Sequence, residues 1–127
     1  MERRRIARRD GARAAEILMI GLGEGERKSV AHRVLGALAE GTVAVPLDEA
    51  TPDRLGGALV VLSPIVAQGF DAVDLAARLK ASGFRGRWLA YAEEVPDRAL
   101  IVREVGEVAP DLQFDLVVLG NGPRLAR

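Results

Sequence analysis

Apolar residues cluster along the chain in five short runs, at residues 17–20, 42–45, 58–63, 87–92 and 114–119. Between successive runs lie segments with a helical period or turn residues. The run at 58–63, Ala58-Leu59-Val60-Val61-Leu62-Ser63, shows no polar alternation and is followed by Pro64. A short uninterrupted run of this kind fits a strand buried on both faces, as in the middle of a parallel sheet. Four helical segments follow. Residues 29–40 place Val30, Val34, Leu35, Ala37 and Leu38 within one arc and send His32 to the opposite, solvated side. Residues 51–55 begin with a cap and a proline, but Gly56 and Gly57 stop them after little more than a turn. Residues 71–82 have Asp71 as cap, Asp74 three residues on, Ala72, Leu75, Ala76 and Leu79 on one face, and Gly83 beyond the end. The last helix opens at Pro96, shares Ile101, Val102, Val105 and Val108 on one face, and closes at Pro110.

Five strands alternating with four helices predict an α/β fold with a flavodoxin-like, doubly wound, five-stranded parallel sheet, since parallel crossovers are right-handed and the helices must divide between two faces. Ser63 then stands at the carboxyl end of the central strand, where such sheets place their ligands, at the rim of any site. Trp88 and Tyr91 lie on the fourth strand, where aromatic residues serve to bury area.

The chain has 127 residues, about half of them hydrophobic, which suits one domain. It has no cysteine and a single histidine, so disulfides, thiolate metal sites and histidine-rich clusters are excluded. No apolar run approaches the length of a membrane span, and the charged start lacks the apolar stretch of a signal peptide; a cytoplasmic protein without membrane contact is expected. Residues 1–15 carry Arg3, Arg4, Arg5, Arg8, Arg9 and Arg13 against Glu2 and Asp10. They are expected to form a basic, flexible arm, and the body that follows is mildly acidic. Without a second basic stripe, nucleic acid is not an expected partner.

The turn Gly21-Leu22-Gly23-Glu24-Gly25 invites a phosphate-loop reading. A Walker loop requires glycine before Lys28-Ser29 and Arg27 stands there; a dinucleotide fingerprint requires a small residue at 26 and Glu26 stands there. Glu24 and Glu26 would also repel a phosphate at the amino end of a helix. Ser63 has no histidine near it in sequence, so a small polar residue satisfying backbone groups is the expectation there.

The run 59–64, the loop and helix Gly69-Phe70-Asp71-Ala72-Val73-Asp74-Leu75 onward to Lys80, and the link Ala81-Ser82-Gly83-Phe84-Arg85-Gly86 resemble a response-regulator receiver domain, over roughly residues 16–123. The resemblance implies the strand order 2-1-3-4-5. It also implies a phospho-accepting aspartate after strand three, an acidic pair after strand one, a hydroxyl on strand four and a lysine after strand five. Those positions fall on Ser63, on Gly21 and Leu22, on Tyr91 and on Gly122. None keeps the required chemistry, so a degenerate receiver is implied, without phosphorylation, magnesium or other cofactor, and without enzymatic activity. Glu24 or Glu26 would be the residual acidic groups.

After Pro123 only the tail 124–127 remains, so the receiver's fifth helix is expected to be missing or truncated, leaving apolar side chains of the first and fifth strands to face water. These readings together predict a phosphorylation-independent interaction module of bacterial two-component-type signalling. It would act through a protein partner, through a second copy of itself or as part of a longer chain. The other reading is a small-ligand or nucleotide-binding domain that uses the glycine turn 21–25.

Overall fold

A computed structural model describes residues 16–22, 24–67 and 69–120. The α/β class holds: five parallel strands alternate with helices in a coarse flavodoxin-like arrangement. The strands of this sheet are β1 (Ile17–Ile20), β2 (Thr42–Val45), β3 (Val60–Pro64), β6 (Arg87–Ala92) and β7 (Gln113–Val118). A small antiparallel hairpin, β4 (Val66–Ala67) with β5 (Phe70–Asp71), lies between β3 and the next helix. The helices are α1 (Glu24–Leu35), α2 (Pro52–Gly56), α3 (Ala72–Ala81) and α4 (Arg98–Val108). Across the sheet the order is β2-β1-β3-β6-β7, with every neighbouring pair parallel.

Side chains alternate across each strand, so the register sorts them onto two faces. Leu18 lies opposite Val61, and Val61 opposite Trp88, on the first face. There they join Leu55 of α2, Leu75 and Leu79 of α3 and Val105 of α4 in one buried cluster. Met19, Leu62 and Tyr91 occupy the second face and pack with Val30 and Ala31 of α1. The central strand is thus buried on both sides, which is why its sequence shows no alternation.

The expected start of α3 is present in detail. The Asp74 amide donates to Asp71 Oδ1 at 3.0 Å, and the Asp71 amide donates to Asp74 Oδ2 at 3.1 Å. This reciprocal cap satisfies two amides of the helix start.

Elsewhere the elements depart from the pattern. The first helix begins at Glu24, five residues before the start that periodicity predicts, because its first turn is charged and carries no apolar stripe. It ends at Leu35, where Gly36 takes φ 60°, and a 3-10 segment, Gly36–Gly41, replaces the rest of the expected helix. Leu59 lies outside β3 and is 53% exposed. The last helix is capped by Asp97, which accepts from the Leu100 amide, and it begins at Arg98 instead of Pro96. Val102 points to water, since Ile101, Val105 and Val108 already fill the stripe that packs on the sheet.

The basic arm 1–15, Gly122 and the expected truncation of a fifth helix at residues 121–127 lie outside the described residues. On β1, Ile17 and Met19 are buried, and on β7 Asp115 accepts from Arg87 Nε at 2.8 Å, between half-buried Leu89 and Val117. Among the described residues no helix is long and apolar enough to cross a membrane.

Candidate functional site

In a parallel sheet the loops at the carboxyl ends part where consecutive connections leave for opposite faces, and the crevice so formed is the usual ligand site. Here β1 leads to α1 on the second face, while β3 leads through the hairpin to α3 on the first. The crevice therefore opens beside the ends of β1, β2 and β3.

At the central position this end of the sheet is closed. Ser63 is fully buried, and its Oγ accepts a hydrogen bond from Trp88 Nε1 at 2.8 Å. Trp88 reaches it diagonally, because Ser63 lies opposite Ala90 and both Trp88 and Ala90 face the first side. The indole is fully buried as well and packs against Phe114, with ring centroids 4.6 Å apart and planes tilted by 50°. Ser63 is thus not at an open rim, and its partner is a side chain instead of the backbone groups expected for it. The apolar strand around it offers no water, so the hydroxyl and the indole N–H satisfy each other.

The remaining positions singled out by the sequence do not converge on Ser63. Tyr91 lies opposite Pro64 and faces the second side, buried with Leu62 and Met19, so the sheet separates it from the serine hydroxyl. Leu22 packs against that same second-face cluster. Glu24 opens α1 and Glu26 lies in its first turn, so the glycine turn is shorter than the five residues it spans in sequence. Their carboxylates and Gly122 lie outside what is described. His32 is exposed, as its place on the helix arc predicts. Among the described residues no three histidine, aspartate or glutamate side chains gather to hold a metal ion.

Gly21 borders open space. It lines a cleft of about 410 Å³ together with Pro46, Leu47 and Asp48 after β2, Gly69 and Phe70 of the hairpin, and Arg78 of α3. Periodicity and motif reading missed these partners. Arg78 is one polar position on an ordinary amphipathic helix, and Leu47 and Asp48 sit in a 3-10 turn, Leu47–Glu49, that has no sequence period. The one local signal was the breaker after each of two strands, Gly21 after β1 and Pro46 after β2.

Comparison with protein-family models, with curated proteins and with solved structures gives no match.

Proposed function

We propose that this chain is a phosphorylation-independent, receiver-like interaction module of bacterial two-component-type signalling, working by protein contact or dimerisation and without catalysis or a bound cofactor. The observation that carries this reading is the sealed end of the central strand. Where a receiver presents its reactive carboxylate to solvent, Ser63 is fully buried and holds the Trp88 indole at 2.8 Å. A phosphoryl donor would have to displace a packed tryptophan to reach it, and the hydroxyl is no acyl-phosphate-forming group. The coarse flavodoxin-like sheet and the capped α3 support the resemblance on which the reading rests. Contact as the mode of action is supported by Leu100 and Val102, which stand exposed on α4 as candidates for burial against another protein.

The test uses Trp88 as its reporter. Acetyl phosphate, or beryllofluoride with magnesium, is expected to leave its fluorescence and the amide spectrum unchanged, while sedimentation or capture with the full chain reveals a bound copy or partner. A magnesium-dependent change in either spectrum would overturn the reading.

A further inference from the structure

The cleft beside β1 and β2 has a chemistry of its own, independent of the interaction-module reading. It is lined by Pro46 and Leu47, by Asp48, by Gly69 and Phe70 of the hairpin and, among the described residues, by one cation, Arg78 of α3. Arg78 is exposed, and Nη1 donates to the Leu47 carbonyl at 3.4 Å, a long bond that uses one of its five N–H groups. It forms no ion pair among the described residues, although Asp48 lines the same cleft. The other nearby carboxylates, Asp71 and Asp74, are committed to the cap of α3. Gly21 and Gly69 both hold positive φ, 87° and 97°, so the main chain borders the cleft at these two points without a side chain. A guanidinium beside apolar side chains matches a molecule with an anionic head and a carbon body. The volume lies within the range of small-molecule sites.

We propose that this cleft binds a small organic anion, its carboxylate or phosphate head taken by Arg78 and its carbon body laid on Pro46 and Leu47. The phosphate-loop geometry is not involved, because Gly25 belongs to α1 and, among the described residues of the glycine turn, it is Gly21 that lines the cleft.

The experiment is an amide-resolved NMR titration of the full chain with phenyl phosphate and, separately, with benzoate. These two arms distinguish a phosphate from a carboxylate head, and inorganic phosphate shows what the carbon body adds. Saturable shifts at Gly21, Leu47 and Gly69 are expected with at least one aryl anion in the millimolar range, stronger than with inorganic phosphate. Arg78→Gln is expected to weaken that binding about tenfold or more. Arg78→Lys, which keeps the charge, is expected to retain saturable binding. Absence of saturable shifts at these amides, or binding to Arg78→Gln as tight as to the native chain, would overturn the proposal.

Discussion

On one face of the sheet α2, α3 and α4 bury Leu18, Val61 and Trp88 in a continuous core. On the other, α1 sets Val30 and Ala31 over Met19, Leu62 and Tyr91, with Ala39 of the 3-10 segment beside them, and Arg87 at the start of β6 pairs with Asp115 of β7. The same five strands thus meet two environments. Where three helices exclude water, even a serine hydroxyl must find a partner inside, and it finds the indole of Trp88. On the second face an ion pair on the strands is tolerated because both side chains remain about half in water. The contrast teaches that stability should be concentrated on the first face, and single substitutions can rank the two.

The largest effect is expected from Trp88→Ala, which empties the centre of the first-face core. A loss of about 3–5 kcal/mol in denaturant unfolding is the range for truncating a buried aromatic. A loss below the cost of an ordinary surface change would break the comparison.

Next comes the hydrogen bond at the strand end. Ser63→Ala leaves the buried indole N–H without its acceptor and should cost about 1–3 kcal/mol. Trp88→Phe strands the hydroxyl in the same way and also removes packing. Because removing both partners spares the cost of an orphaned polar group, the double variant should be less destabilised than the sum of the two singles. Simple additivity in that cycle would mean that the bond contributes no coupling.

Asp71→Ala removes one half of the reciprocal cap of α3 and should cost about 1 kcal/mol. The smallest effect is expected on the second face. Arg87→Ala or Asp115→Ala should change stability by less than about 1 kcal/mol, since exposed ion pairs are solvent-screened. Adding salt to the native chain should reduce even that difference. A larger loss than at Asp71 would show that the charged pair anchors β6 to β7 instead of merely decorating them.

The sequence by itself determined the strands and the best of the helices. The unbroken apolar run of β3, the stripe of α3 with Leu75 and Leu79, and the caps at Asp71 and Thr51 are local features, carried by side-chain hydrophobicity and by hydrogen bonds three residues apart. The charged first turn of α1 and the hairpin at 66–71 were illegible, because neither has an apolar period and the hairpin is only two residues long on each side. Only the tertiary structure decided the fate of the candidate residues. Whether Ser63 meets solvent or Trp88 depends on strand register, which brings together residues 25 apart in the chain. Whether Gly21 borders a phosphate loop or a cleft shared with Leu47 and Arg78 depends on which face each crossover takes. A sequence pattern records how often a residue faces inward; it does not record which distant side chain it meets there.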